Sequence, residues 1–322
     1  MTSRTRYSLF VLIFVAALLL VACGGGTPAV EEPAEESGTE PVSLTLYLGF
    51  RPDVQFAPYY VAVSKGFFAD QGLDVTLQHE SESTMARLVA TNEAQFAVVS
   101  GEQVLLGRAQ GLPIVYVFEW YQLYPVAVAA KAESGIEEPA DLAGRSVGVP
   151  MLEGASYIGL EALLYSAGLT DADIQLEATG FTQVETLLTD RAEAVVVYAT
   201  NEPIQLEAQG VDVNVMYVAD YVDLVSNGII TNEQTIAEDP DLVRAVVTAF
   251  SQALQYTIEN PDEAFEISKE FVEGLGDPDV EATQREVLDR SIGFWRAERL
   301  GQSDLASWQA MQEVLLQMGL LE

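Results

Sequence analysis

The stretch FAVVSGEQVLLGRAQGLPIVYVF, residues 96–118, predicts a strand, a helix and a second strand in immediate succession. Phe96–Val99 is a short continuous apolar run, which is typical of a buried strand. The segment Gln103–Gln110 predicts a helix that ends at Gly111, and the apolar run Ile114–Phe118 predicts the next strand. A unit of this length favours an open, mostly parallel sheet that carries helices on both faces.

The same alternation of strands and helices extends in both directions from this unit. Outside it, the predicted strands lie at 44–48, 73–77, 147–149, 174–178, 194–197 and 213–218. The predicted helices among them lie at 60–66, 82–90, 157–167, 181–189 and 203–209. After Pro240 the pattern becomes almost wholly helical, with predicted helices at 242–258, 262–271, 282–292 and 304–318. The chain therefore has two sets of α/β units followed by a helical tail.

Two such sets predict an α/β protein of two lobes joined by a hinge. The first lobe would comprise residues 42–127 and 226–322, and the second lobe residues 128–225. The chain would cross between them near Pro125–Ala129 and return near Val225–Ile230. Because open α/β sheets bind ligands beside the carboxyl ends of their strands, the cleft between the lobes is the expected site.

The amino terminus predicts export and attachment to a membrane. Arg4 and Arg6 precede an apolar run that is short for a bilayer-spanning helix and ends in Leu20-Val21-Ala22-Cys23. This arrangement resembles a bacterial lipoprotein signal, in which residues 1–22 are removed as a signal peptide and Cys23 is acylated. The alternatives are an ordinary signal peptide or a membrane-spanning helix with an incidental cysteine. The expected location is the outer face of the cell membrane, where the lipid anchors the protein.

Composition restricts the partners of the chain. Residues 23–41 hold glycine, proline, serine, threonine and five glutamates with almost nothing apolar, so a disordered, lipid-anchored linker is expected there. Cys23 is the single cysteine, which excludes an intramolecular disulfide and a cysteine-based metal cluster. The formal net charge of −34 disfavours nucleic acid, anionic lipid and polyanionic solutes as partners.

Catalytic machinery is sparse in this sequence. His79 is the single histidine and lies in an acidic stretch, where a surface position is expected rather than a role as base or metal ligand. The sequence contains no glycine-rich phosphate loop, and its acidic residues show no spacing that indicates a catalytic pair. We therefore expect a protein that is not an enzyme and that has neither a cofactor nor a metal.

The predicted strand-end loops are rich in aromatic, amide and carboxyl side chains. The residues expected to contact the rings of a ligand are Phe56, Tyr59, Trp120, Tyr121, Tyr157 and Tyr198. Those expected to bind its polar edges are Asp53, Gln55, Ser100, Glu102, Ser156, Asn201, Glu202 and Asn227, and Gly101 would allow close approach of the backbone. The alternative for the aromatic residues is packing within a lobe or at the hinge, and for Ser156 it is capping of a helix. A neutral flat heterocycle with carbonyls and ring nitrogens suits this set.

Four stretches of the chain resemble a known family. They are FAPYYVA at 56–62, KGFFADQGLDV at 65–75, GRAQGLP at 107–113 and DLAGRSVGV at 141–149. Together they are similar to the alkanesulfonate-binding and pyrimidine-synthase-like family of periplasmic binding proteins. The resemblance implies a type II periplasmic-binding-protein fold, in which two lobes close over a small-molecule ligand. It also implies a monomer that delivers this ligand to the permease and ATPase of an ABC importer.

Three positions bear on the ligand that the resemblance implies. Pyrimidine-handling members of the family carry tryptophan, asparagine and histidine where this sequence has Phe50, Asp53 and Phe56. These differences disfavour a pyrimidine ligand, and the missing histidine disfavours the pyrimidine-synthase reaction.

Three other stretches look more like the riboflavin-binding lipoproteins of the family. They are Ser100–Val104, Glu119–Gln122 and Phe181–Val184. Riboflavin or a similar flat vitamin is therefore the expected transported ligand, with a thiamine pyrimidine precursor such as formylaminopyrimidine or hydroxymethylpyrimidine as the alternative. A sulfonate or nitrate fits less well, because only Arg51 lies near a candidate loop. The remaining alternatives are a pyrimidine-synthase-like enzyme and a sensor or scaffold lipoprotein that has lost transport.

Overall fold

The computed structural model describes the unit of the chain that comprises residues 40–322. The predicted signal peptide at 1–22, the lipidation site Cys23 and nearly all of the predicted linker lie outside the described residues. Within residues 40–322, no helix is both long enough and apolar enough to cross a bilayer. The unit is built on two β-sheets with helices packed against them.

The first sheet contains the early strands of the chain and one late strand. Its members are β1 (Val42–Leu48), β2 (Leu73–His79), β3 (Phe96–Val99), β4 (Ile114–Glu119) and β10 (Gly228–Asn232). They lie in the order β2-β1-β3-β10-β4. Strand β1 pairs in parallel with β2 and β3, whereas β10 runs antiparallel to both β3 and β4.

The second sheet has the same plan. Its members are β5 (Val126–Lys131), β6 (Ser146–Val149), β7 (Gln175–Ala178), β8 (Ala194–Tyr198) and β9 (Val213–Tyr217). They lie in the order β7-β6-β8-β5-β9. Strand β6 pairs in parallel with β7 and β8, whereas β5 runs antiparallel to both β8 and β9.

In each sheet four of the five strands run in the same direction, which agrees with the predicted mostly parallel arrangement, and one strand runs opposite to them. The antiparallel strands are β5 and β10, the two that follow the crossings between the sheets. A strand that enters from the other sheet starts at the edge where the parallel strands end, so it must run in the opposite direction. The pairs Gly228 with Glu119 and Val126 with Tyr198 place this shared edge at the start of both entering strands.

Eleven α-helices are present in the described residues: α1 (Ala57–Ser64), α2 (Glu82–Ala90), α3 (Gly101–Ala109), α4 (Gly154–Ser166), α5 (Gln183–Leu188), α6 (Glu202–Ala208), α7 (Glu233–Glu238), α8 (Pro240–Glu259), α9 (Pro261–Ser268), α10 (Pro278–Trp295) and α11 (Leu305–Gln317). The bounds of α2 and β3 confirm the prediction residue for residue, and most others differ from it by a few residues at an end. The sequence pattern did not predict α7, β5 or β10, and it assigned the residues of these two strands only to the crossings between the lobes. Asn232, the last residue of β10, accepts a hydrogen bond from the Thr235 amide at 2.7 Å and so starts α7.

The largest hydrophobic core joins one face of the first sheet to one face of the second. Helix α8 covers it with buried side chains at helical spacing, among them Val246, Phe250 and Leu254. Asp239 caps this helix by accepting from the Leu242 amide at 3.0 Å, and the next residue is a proline at the first helical position. A second cluster packs α4 and α11 against the other face of the second sheet.

The two sheets are divided close to the predicted lobe boundaries. Strands up to residue 119 and from residue 228 belong to the first sheet, and those from 126 to 217 to the second. Helix α11, which the sequence assigns to the first lobe, contacts both α3 and α4. The assignment of 42–127 and 226–322 to one lobe and 128–225 to the other stays a prediction.

Candidate functional site

A cavity of about 250 Å³ lies where the strand-end loops of the two sheets meet. The loops that follow β1, β2, β4, β6, β7 and β8 all contribute to it, as expected for ligand sites of α/β sheets. Its lining residues are Gly49, Phe50, Gln55, Phe56, Glu80, Ser81, Glu82, Ser83, Gln103, Trp120, Tyr121, Pro150, Met151, Glu153, Gly154, Ala155, Ser156, Phe181, Gln183, Tyr198, Asn201 and Glu202.

The structure brings about half of the predicted site residues to this cavity. Those that line it are Gln55, Phe56, Trp120, Tyr121, Ser156, Tyr198, Asn201 and Glu202. Those that do not line it are Asp53, Tyr59, Ser100, Gly101, Glu102, Tyr157 and Asn227. The second group lies outside the lining of the cavity, where its members contact other residues of the fold.

Trp120 lies in an aromatic cluster at the junction of the two sheets. Its ring is only 2% exposed. Phe56 and Trp295 lie at tilted angles to the indole, with ring centroids at 5.5 and 5.7 Å. Tyr59 and Tyr121 contact it edge-on at 5.0 and 4.7 Å. This packing matches the hinge alternative, because it leaves little of the ring surface open for a stacked ligand.

Tyr59 and Asp53 are occupied by contacts within the fold. Tyr59 is fully buried and stacks on Phe250 of α8 with ring centroids 4.2 Å apart. The Asp53 carboxylate accepts a hydrogen bond from the backbone N–H of Gln55 at 3.0 Å and so caps the short 3₁₀ turn before α1. Burial raises the pKa of Asp53 above its usual range.

Gln55 connects the two halves of the site. It precedes α1 of the first sheet, and its Nε2 donates to Thr200 Oγ1 at 2.7 Å beyond β8 of the second sheet. In return, Asn201 Nδ2 donates to Gln55 Oε1 at 3.0 Å. Both polar atoms of the Gln55 side-chain amide are thus hydrogen-bonded to residues that follow β8 of the second sheet, and these two bonds connect the two sides of the cleft.

Gly101 and Tyr157 also have places outside the cavity. A Cβ on Gly101 would lie 2.7 Å from the Cβ of Val225, so the glycine is needed for the return crossing to pass α3. Tyr157 is half-buried on α4 beside Glu161, and burial raises the pKa of both groups.

Two of the glutamates that line the cavity accept hydrogen bonds from other residues of the fold. Glu202 accepts from the Tyr198 amide at 2.9 Å, and burial raises its pKa to about 7. Glu82 accepts from Asn227 Nδ2 at 3.1 Å, and the Oδ1 of Asn227 accepts from the Tyr198 hydroxyl at 3.1 Å. The chain from Tyr198 to Glu82 therefore links the second sheet to the first through the return crossing.

Two phenylalanines meet across the two sheets beside the cavity. Phe50 follows β1 and Phe181 follows β7, and their rings make an edge-to-face contact with centroids 4.9 Å apart. Phe50 has a φ of 59°, a left-handed conformation that is rare for a bulky residue. Phe181 remains 46% exposed, and the Arg51 guanidinium lies 5.1 Å from the Phe50 ring centroid. This aromatic pair spans the cleft from one sheet to the other.

Replacing Phe181 with alanine is expected to weaken ligand binding by about threefold to tenfold, because an edge-to-face aromatic pair contributes roughly 0.5–1.5 kcal/mol. The loss should come mainly from faster dissociation, which stopped-flow measurement of ligand release would detect. Phe181→Leu keeps an apolar side chain without the ring and should give an intermediate rate. Equal release rates in all three proteins would contradict a role for the pair in closing the cleft.

The charged residues that line the cavity are all acidic. Among residues 40–322, no lysine or arginine lines it, whereas Glu80, Glu82, Glu153 and Glu202 do. Such a surface favours a neutral or cationic ligand over an anionic one. The described residues contain no group of histidine, cysteine, aspartate and glutamate side chains that could hold a metal ion.

His79 is half-buried at the end of β2 and not fully on the surface as the sequence predicts. Its Nδ1 lies 2.9 Å from the Gly49 carbonyl oxygen, and its ring meets Phe56 edge-on at 5.2 Å. Burial lowers its pKa from the usual value, so its imidazole is neutral near pH 7. It does not line the cavity.

The cavity residues that the sequence did not single out are Gly49, Phe50, Glu80, Ser81, Glu82, Ser83, Gln103, Pro150, Met151, Glu153, Gly154, Ala155, Phe181 and Gln183. Many of them follow the carboxyl end of a strand. Residues 80–83 come directly after β2, and Phe181 comes shortly after β7. Their position after a strand was the signal that could have identified them.

A family model described as NMT1/THI5 like matches residues 53–264. The chain belongs to the NMT1/THI5-like family. It is 38% identical to the riboflavin-binding protein RibY of Chloroflexus aurantiacus, over 94% of this chain and 90% of that protein. It is 28% identical to the formylaminopyrimidine-binding protein of Halalkalibacterium halodurans, over 92% of this chain and 89% of that one.

A solved structure with a similar fold is the periplasmic aliphatic sulphonate binding protein SsuA of Escherichia coli. The TM-score is 0.71 at 15% sequence identity, and the match covers 87% of this chain and 89% of that chain. A sequence identity of 15% supports a conclusion about the fold alone. It confirms the predicted two-sheet α/β architecture of a periplasmic binding protein for this NMT1/THI5-like chain.

Proposed function

We propose that this chain is the solute-binding component of an ABC importer and that it carries riboflavin or a similarly flat, uncharged vitamin. The observation that carries the proposal is the likeness to the riboflavin-binding protein over nearly the whole of both chains. The cavity supports it, because phenylalanine and tyrosine rings lie beside amide and carboxyl groups that suit the edges of a heterocycle.

Charge argues against the anionic ligands of the fold relatives. A sulfonate or nitrate requires hydrogen-bond donors with positive charge, and the cavity is lined by glutamates without a lysine or arginine among residues 40–322. The formylaminopyrimidine-binding relative favours a second candidate of the same chemical class, a neutral thiamine pyrimidine precursor.

A binding role fits this site better than catalysis. The sole histidine bonds to a backbone carbonyl behind Phe56 and does not reach the cavity. General acid–base catalysis by histidine is therefore not available at the site. Attachment through Cys23 to the outer face of the membrane remains part of the proposal and would place the closed, loaded protein beside its permease.

A ligand screen by thermal shift tests the proposal on the protein that begins at residue 24, with riboflavin, thiamine, hydroxymethylpyrimidine, formylaminopyrimidine and ethanesulfonate. Riboflavin at about 100 times its Kd should raise the melting temperature by roughly 5 °C or more, because a ligand that binds only the native state adds about 2.7 kcal/mol. Quenching of flavin fluorescence on titration should give the Kd. A shift with a pyrimidine alone would favour the second candidate, and a shift with the sulfonate alone would contradict both.

A further inference from the structure

Four polar residues form a connected cluster beneath one end of the cavity. Glu82 is the first residue of α2 and borders the cavity, whereas Ser100 and Glu102 follow β3 and are completely buried. Asn227 lies on the return crossing and is 7% exposed. Three separate segments of the chain therefore meet at the Glu82 carboxyl group.

The contacts of Ser100 require a proton on one of the two glutamates. Its Oγ lies 2.8 Å from Glu82 Oε2 and also forms a short hydrogen bond with Glu102 Oε1. A serine hydroxyl has one hydrogen, so it can donate to only one of these carboxyl oxygens. The other contact is a hydrogen bond only if the carboxyl itself donates to the serine oxygen. At least one glutamate of the pair is therefore protonated.

The distribution of donors identifies which glutamate keeps the charge. Glu82 accepts from the Ser100 amide at 3.1 Å and from Asn227 Nδ2 at 3.1 Å, in addition to the serine hydroxyl. Glu102 Oε2 has no hydrogen-bond partner in the described part of the chain, and Gln103 Nε2 lies 3.4 Å from its other oxygen. Three donors stabilise the negative charge on Glu82, so the proton belongs on Glu102.

The surroundings agree with this assignment. Burial, together with the charge of Glu82, raises the pKa of Glu102 to about 8. Burial also raises the pKa of Glu82, and Glu153, which lines the same cavity, is the charged neighbour that adds to this shift. The other titratable groups that interact electrostatically with Glu82 and Glu102 are the phenols of Tyr116, Tyr124 and Tyr198. Among residues 40–322, no lysine or arginine contributes to the pKa of either carboxyl.

We propose that Glu82 is the specificity-determining residue of the cavity. It presents one ionised carboxylate, whose partner Glu102 holds the shared proton, to the N–H or O–H groups of an uncharged ligand, and it excludes anions. The inference rests on the proposed function and refines it: the protein takes the free vitamin and rejects its phosphate ester. Ser100, Asn227 and Glu102 act as positioning residues, because they hold the carboxylate and keep its neighbour neutral.

The ligand test compares riboflavin with riboflavin 5′-phosphate in fluorescence titrations at pH 7. The wild-type protein should bind riboflavin at least about tenfold more tightly than the phosphate ester. Glu82→Gln should weaken riboflavin binding about tenfold and reduce this preference severalfold, because a neutral amide replaces a charged acceptor. Glu82→Asp keeps the charge and should keep the preference. Glu270→Gln, a loss of one exposed charge far from the cavity, should match the wild type.

Equal affinity of the wild type for both flavins, or an unchanged preference in Glu82→Gln, would overturn the inference. An infrared spectrum of the ligand-free protein at pH 6.5 tests the proton separately from any ligand. The carbonyl band of a protonated carboxyl group should lose intensity in Glu102→Gln and not in Glu270→Gln, and an unchanged band would also overturn it. If the wild type binds neither flavin, the proposed function fails. The inference about Glu82 then stands only if the infrared band changes in Glu102→Gln and the protein does not bind ethanesulfonate.

Discussion

Gly228→Ala is expected to destabilise the protein by about 3 kcal/mol or more, which is at the upper end for adding a methyl group to a packed interior. Gly228 is the first residue of β10 and pairs with Val99 on one side and Glu119 on the other. A Cβ at this position would lie 2.2 Å from the Phe118 carbonyl oxygen and 2.1 Å from the Tyr116 hydroxyl. The tyrosine side chain can move, but the carbonyl belongs to the neighbouring strand and cannot move without disturbing the sheet.

Urea unfolding followed by circular dichroism would measure this loss as a lower midpoint at similar slope. The matched control is Gly293→Ala, which makes the same change inside α10, where a Cβ would meet no atom within 4 Å. That variant should gain up to about 1 kcal/mol, because alanine is the better helix former. A Gly228→Ala protein within about 1 kcal/mol of wild type would show that the strand can shift, contrary to this account.

Raising the pH from about 5 to about 9 is expected to destabilise the folded protein by several kcal/mol. Burial raises the pKa of Glu102 to about 8 and the pKa values of Glu119, Glu161 and Glu202 to about 7, compared with an ordinary value of 4.5. Between these values the unfolded chain releases protons that the native state retains. The contribution of these four carboxyl groups to the free energy of unfolding is therefore fully present below about pH 4.5, and it is lost as the pH rises through 7 to 8.

Glu102 should account for the largest single share of this pH dependence, since a shift of one pKa unit corresponds to roughly 1.4 kcal/mol. Glu102→Gln keeps the shape of the protonated side chain and cannot ionise. Urea midpoints of this variant should equal those of wild type near pH 5 and exceed them near pH 9. The exposed change Glu270→Gln should leave the slope with pH unaltered. A Glu102→Gln protein that is less stable than wild type at pH 9 would contradict a buried, proton-retaining carboxyl.

The conformational behaviour of the site depends on bonds between the sheets that the cavity residues themselves make. The Gln55 amide is held by Thr200 and Asn201, and Asn227 connects Tyr198 to Glu82. Opening of the cleft would break several of these contacts together. The balance between the open and closed forms therefore depends on these hydrogen bonds together with the contacts that a ligand makes in the closed form.

The sequence by itself determined most of the elements of this fold, though not α7, β5 or β10, and it determined the edge at which the site lies. Phe96–Val99 and Glu82–Ala90 were predicted at their observed bounds, because continuous apolar runs and helical periodicity depend only on near neighbours. The placement of Tyr198, Asn201 and Glu202 at the cavity followed from a general rule, since Tyr198 is the last residue of β8 and the other two come directly after this strand.

Only the tertiary structure decided which strand-end side chains face the cavity and which pack behind it. Tyr59 is an aromatic residue of a strand-end loop, yet it stacks on Phe250 of α8 behind the cavity. Trp120 lines the cavity, but Phe250 of α8 and Trp295 of α10 pack against its ring. The Glu82 carboxyl group accepts hydrogen bonds from Ser100 and Asn227, which are 18 and 145 residues away in the chain. Burial and proton sharing depend on such distant contacts, which no local pattern of residues encodes.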